Sequence, residues 1–156
     1  IAIKKRHRSS FRRLKRGSSL HAAVELLIQN PRVSLNIRDS LGETALHWAV
    51  TAGNRSVITD LLDNERFTVA DAQDNLGETA LHKAIQQHDG RATSILLSHK
   101  KFTKETTINR DGYSALDLAF DSGLWSMTEI LLKDPLINLG MDHLPQQPHQ
   151  KSQNQS

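Results

Sequence analysis

The chain has no cysteine. That excludes a disulfide framework, a thiolate zinc site and a cysteine nucleophile, and it suits a reducing compartment. Aromatic residues are only 4% of the 156, and hydrophobic residues 37%. So thin an apolar supply argues against one large core crossed by long-range contacts. A stack of small units with modest cores fits better. No apolar run approaches the roughly 20 residues of a membrane helix. The opening stretch IAIKKRHRSSFRRLKR has no long apolar run after its charges, so it does not read as a secretory signal. The expected location is intracellular, cytoplasmic or nuclear. Also missing are a Gly-x-x-x-x-Gly-Lys phosphate loop, a Gly-x-Ser-x-Gly elbow and a His-Glu-x-x-His pair. No catalytic, cofactor-binding or metal-ligating residue is assigned, and the expectation is a protein that is not an enzyme.

What is there is unevenly charged. The net charge of +3 comes from 20 basic and 17 acidic residues. Eight of the basic residues fall within 1–16, with no acid among them: Lys4, Lys5, Arg6, Arg8, Arg12, Arg13, Lys15 and Arg16. The remainder then holds 12 basic against 17 acidic residues, a mildly acidic body behind a basic arm.

The sequence also repeats itself. SLGETALHWAV at 40–50 returns as NLGETALHKAI at 75–85. Gly42, Gly77 and Gly112 stand 35 residues apart, as do Leu46, Leu81 and Leu116, and Ala49, Ala84 and Ala119. Leu26-Leu27, Leu61-Leu62, Leu96-Leu97 and Leu131-Leu132 hold the same step. A fixed period of this length marks a solenoid. Each unit opens on a glycine suited to a tight turn. Thr44, Thr79 or Ser114 follows two positions on, a hydroxyl placed to cap a helix. An Ala-Leu-x-x-Ala face then predicts a two-turn helix. After the short breaks at 52–54, 87–90 and 121–123, a second helix runs to the double leucine, as in RSVITDLL at 55–62. Polar stretches rich in Asn, Asp and Gly predict hairpin-like turns between units.

GETALHWA and GETALHKA resemble the ankyrin repeat, whose first helix carries Gly-x-Thr-Pro-Leu-His-x-Ala at a period of about 33 residues. Ala45, Ala80 and Ala115 stand where the family has proline, and Asp117 stands where it has histidine. The two residues above the family period are expected in the inter-helix or hairpin loops. The resemblance implies an all-α, ankyrin-type helix-turn-helix solenoid of about four repeats with β-hairpin-like loops. The repeats would span about 7–38, 39–73, 74–108 and 109–140, making a domain over 7–140. The basic arm, 1–16, would merge into an irregular first repeat, with SSFRRLKR as its first helix and SLHAAVELLIQ as the second. Residues 141–156 read as a polar, disordered tail rich in Gln and Pro.

The resemblance implies a binding function too: a scaffold, adaptor or inhibitor holding another protein on its concave face and hairpin tips. At the tips stand Arg38, Ser40, Gln73, Asn75, Arg110 and Asp111. On the outward side of the first helices stand Glu43, Trp48, Glu78, Lys83, Tyr113 and Leu118. Asp39 and Asp74 can bond the backbone of their own turns. Trp48 fills a variable slot, either as an exposed anchor or as packing against a neighbouring helix. Trp125 reads as packing against the C-terminal segment. His47 and His82 are read as braces, each bonding backbone or the threonine of its own unit and tying it to the next. The basic arm has three readings: a soluble cap face, a nuclear-import or nucleic-acid patch, or a contact for an acidic partner or anionic membrane. The alternative to a protein-binding module is thus a nuclear or chromatin-associated regulator using that arm. A transcription-factor-masking protein or a pathogen effector would use the same ankyrin surface.

Overall fold

A computed structural model describes residues 19–102 and 107–135. The basic arm, the predicted SSFRRLKR helix, the segment DPLINLGMDH from residue 136 on, and the tail lie outside the described residues.

Among the described residues seven helices follow in order: α1 (Ser19–Gln29), α2 (Ala45–Thr51), α3 (Arg55–Asp63), α4 (Ala80–Gln86), α5 (Gly90–Ser98), α6 (Ala115–Asp121) and α7 (Trp125–Leu132). They pack in two rows. The short helices α2, α4 and α6 stack on one another, and α1, α3, α5 and α7 stack behind them. Each short helix also packs on the longer helix that follows it. This is the predicted all-α solenoid. SLHAAVELLIQ is helix α1, as expected of a second helix in its unit.

The core is one strip running through the stack. Leu46, Ala49, Leu81, Ala84, Leu116 and Ala119 are buried along the short helices. The alanines leave room for a neighbouring helix to approach. Ile58, Leu61, Leu62 and Leu96 bury the facing side of the second row, and Phe67 and Phe102 close it beyond α3 and α5. Removing such surfaces from water, at about 25 cal/mol per Å2, is the main favourable contribution to the stack.

Polar side chains fix the spacing between units. Asn64 Nδ2 donates to the Ile28 carbonyl (3.2 Å), and Arg66 Nη1 to that of Val33 (2.9 Å). Thirty-five residues on from Arg66, Lys101 Nζ donates to the Asn64 carbonyl. Each of these reaches back into the preceding unit.

The connections form hairpin-like turns, but no β-strand is present among the described residues. The one bridge is between Ile108 and Ser114. Side chains stand in for a ladder. Asp74 Oδ1 accepts from the N–H groups of Leu76 (2.8 Å) and Glu78 (2.9 Å). Asp39 and Asn109 bond their own turns in the same way. The inter-helix break is three residues in each unit, 52–54, 87–89 and 122–124. The connections between units are much longer, 64–79 and 99–114.

Candidate functional site: the turn tips and the short-helix row

Gly77 shows why the tips begin on glycine. Its φ is +77°, a left-handed conformation that costs an L side chain strain. A Cβ there would also lie 3.0 Å from the backbone nitrogen of Arg110 in the next tip. At Gly42 the next tip is as close, with Asn75 Oδ1 2.6 Å from the same point. The tips therefore press together, and hydrogen bonds join them at the repeat step. Asn75 N–H donates to the Leu41 carbonyl and Arg110 N–H to that of Leu76, both at 2.9 Å. Arg38 Nη1 reaches the Gln73 carbonyl (2.6 Å) and Asn75 Nδ2 that of Ser40 (3.0 Å). Gln73 Nε2 donates to Gly77 and Ile108 carbonyls. Arg38, Ser40, Asn75, Arg110 and Asp111 are exposed, as a contact edge requires, and Gln73 is half-buried.

His47 and His82 are fully buried and have both ring nitrogens occupied. The Nδ1 atom of His47 accepts from the Thr44 N–H (3.2 Å) and faces its hydroxyl at 2.9 Å. Its Nε2 donates to the Glu78 carbonyl of the next unit at 3.0 Å. His82 repeats this set with Thr79 and the Tyr113 carbonyl. Burial pushes both imidazoles below their ordinary pKa and keeps them neutral. The braces read from the sequence are thus present. Asp117 keeps only the local half of the arrangement. Its Oδ2 accepts from the Ser114 N–H (2.8 Å) and hydroxyl (2.6 Å), while the Asp117 N–H returns to Ser114 Oγ.

The variable slot holds a connection that the sequence reading missed. Trp48 is 54% exposed, but its Nε1 donates to Asp39 Oδ2 at 2.9 Å. This bond holds the Asp39 carboxyl below its ordinary pKa. One unit on, Lys83 Nζ meets Asp74 Oδ2 at 2.9 Å. In both units the slot reaches back nine residues to the free oxygen of the turn aspartate. The third unit pairs Asn109 with Leu118, which cannot form this link, and Leu118 is half-buried. The signal was in the sequence: Asp39 to Trp48 and Asp74 to Lys83 share one spacing.

Two expected surface residues are corrected. Glu78 is only 7% exposed, and the Lys83 side chain 14%. Lys83 Nζ lies 2.8 Å from Glu78 Oε2 and 3.3 Å from Glu43 Oε1, besides Asp74. Gln86 Nε2 closes the group on Glu78 Oε1 at 2.6 Å. One ammonium among three carboxylates keeps its proton strongly, and its pKa is raised despite burial. Lys83 and Glu78 therefore face one another, and Glu43 is half-buried beside them.

Leu41 (59% exposed) and Leu76 (60%) also escaped the sequence reading. They occupy one column on adjacent tips, and an apolar residue recurring inside a polar turn was the available clue. Tyr113 is at the margin of exposure. An open hollow of about 580 Å3 lies beside this edge, lined by Arg38, Thr68, Val69, Asp71, Ala72 and Gln73. Among the described residues, no group of three or more His, Asp or Glu is placed to hold a metal ion. No helix there is long and apolar enough to cross a membrane.

Two rows of helices, clasped unit to unit and edged by interlocked turns, define a helical-repeat protein. The sequence matches the family described as ankyrin repeats (many copies) over residues 18–62, and that described as ankyrin repeats (3 copies) over 61–141. The chain belongs to the ankyrin-repeat family, whose repeats generally serve as protein–protein interaction modules. No curated protein matches it.

Proposed function

We propose that the chain binds another protein along its turn tips and the exposed side of α2, as a scaffold, adaptor or inhibitor. The observation that carries this is Trp48, half exposed and held in place by Asp39, on the edge that also presents Leu41 and Leu76. A pre-oriented aromatic loses little freedom when a partner covers it. Residues of this type dominate many interfaces. Arg38, Ser40, Asn75, Arg110, Asp111 and Tyr113 extend the contact edge. Glu43, Gln73 and Leu118 support it from half-buried positions, and Glu78 and Lys83 set its local charge from below. Charge at the rim governs partner choice and on-rate more than affinity.

Affinity capture with wild-type protein and the Trp48→Ala variant tests this. The variant should bind the captured partner about 2 kcal/mol more weakly, with an unchanged melting curve. Equal binding by both forms sinks the proposal. A collapsed melting curve would make Trp48 a structural residue. Neutralising the eight basic residues of the arm separates the other reading. Capture should survive it, whereas a nucleic-acid-associated regulator would lose its salt-sensitive binding.

A further inference from the structure

Trp48 and Trp125 are both exposed, at 54% and 66%, but their surroundings differ. Trp125 rests edge-on against Phe120, with ring centroids 5.7 Å apart. Glu129 and Lys133 stand with it around one apolar hollow and pair with each other at 2.9 Å, so their charges cancel. Trp48 instead has a carboxylate at the edge of its ring, with Asp39 Oδ2 2.9 Å from Nε1. The other oxygen of Asp39 accepts from the N–H groups of Leu41 and Glu43, which holds that carboxylate in place. An indole has one N–H donor, and here it is spent. What Trp48 offers a partner is therefore its face. An anion on the N–H polarises the ring and deepens the negative charge of that face.

The neighbourhood carries the same sign. The three tips and short helices, residues 38–51, 73–86 and 108–121, hold three basic and seven acidic residues, a net of −4. In the slot next to that of Trp48 the cation is Lys83, and Glu43, Asp74 and Glu78 outnumber it. A cation approaching this row from a partner meets attraction. We propose that Trp48 is the docking platform for an arginine side chain of the partner protein. This rests on the reading of the turn tips and α2 as the binding edge, and it names the chemistry that the edge selects. A guanidinium is planar and weakly hydrated, so it stacks flat on an indole. Within about 6 Å of the ring centroid it gains from the negative face. Its N–H edge turns toward Asp39 Oδ2, since a carboxylate oxygen that accepts one bond keeps room for another. Leu41, 59% exposed and bonded through its N–H to the same carboxylate, supplies apolar surface beside the platform. An uncharged side chain of the same shape gains only the packing.

The test uses the full chain labelled with the heavy nitrogen isotope and two probes, acetyl-Leu-Arg-Leu-amide and acetyl-Leu-citrulline-Leu-amide. Citrulline keeps the shape of arginine without its charge. The two indole N–H resonances are followed during each titration, and Trp125 is the internal control. The arginine probe should move Trp48 and leave Trp125 in place, and the citrulline probe should bind Trp48 about fivefold more weakly. Equal affinities for the two probes, or equal shifts at both tryptophans, overturn the proposal. So does a Trp48 resonance that neither probe moves up to its solubility limit. In Asp39→Asn the arginine probe should lose most of its advantage, and an undiminished advantage also overturns the proposal. The comparison of probes on the wild-type chain decides the matter if that variant unfolds. The binding edge itself stands or falls with the Trp48→Ala capture. Capture that depends on Trp48, together with equal probe affinities, keeps the edge and removes the arginine.

Discussion

His82 links helix start, neighbouring unit and pH response in one side chain. Its neutral ring satisfies Thr79 and the Tyr113 carbonyl together. His82→Ala leaves those buried groups unpaired beside a small cavity, and should cost about 2–4 kcal/mol in urea denaturation. Binding specificity should be untouched. The pH dependence follows from the lowered pKa of both buried histidines. Below their ordinary value of 6.5, the unfolded chain takes up protons that the folded chain refuses. Stability should be level above that value and fall as pH drops beneath it. A melting temperature flat from pH 8 to pH 5 would contradict this. Lys83 makes a second prediction. Lys83→Met leaves Glu43, Asp74 and Glu78 facing one another without a cation, and should cost about 3 kcal/mol at neutral pH. The loss should shrink as the pH falls below 3.8, the ordinary value for Asp74, because, despite burial, the bond to Lys83 helps hold that carboxyl beneath it. The same loss at both pH values would show that the ions are not what Lys83 serves. Sequence spacing revealed the histidine because it recurs against fixed partners. It did not reveal the lysine cluster, because Glu43 comes from the preceding unit and Trp48 fills the lysine's slot there.

The helices were largely legible because each carries its own signals. Thr44, Thr79 and Ser114 stand at N-caps, and the Ala-Leu-x-x-Ala pattern gave the buried face. The turns were legible as turns but not as an interlocked edge, since Arg38 to Gln73 and Asn75 to Ser40 join units whose spacing only the fold sets. Glycine substitutions measure that edge. Gly77→Ala meets both a positive φ and the backbone of the next tip, whereas Gly112→Ala meets a positive φ with open space. The second should cost about 1–2 kcal/mol, and the first clearly more. Equal losses would mean that the tips do not press together. His88 presents the opposite case. It holds φ +55° at the position where Gly53 and Gly123 end the short helices of the flanking units. His88→Gly should therefore raise stability by about 0.5–1 kcal/mol, the relief of strain less the entropy of a freer unfolded chain.

Across the whole molecule, burial follows nearest neighbours: each short helix meets its own partner and the next short helix, and each longer helix the next longer one. Sequence periodicity predicted this because such a stack needs no distant contact. The two ends were not legible in the same way, because an end is where the period stops repeating. The basic arm belongs to that category and lies outside the described residues. The body behind it carries 12 basic and 17 acidic residues. A fold-independent attraction to nucleic acid would have to come from the arm alone, and raising salt would weaken it.

The histidine clasps point one way and the basic clasps the other. His47 and His82 each hold the unit after them, while Arg66 and Lys101 each hold the unit before them. The chain therefore contains a module that can be copied in frame. Doubling residues 74–108 would supply every new junction with both clasps, since each lands on a backbone carbonyl, which every residue type supplies. A unit appended after α7 would inherit Asp117, whose carboxylate is already committed to Ser114 and cannot donate forward. Lengthening from within keeps both clasps, whereas a junction made at Asp117 lacks the histidine one.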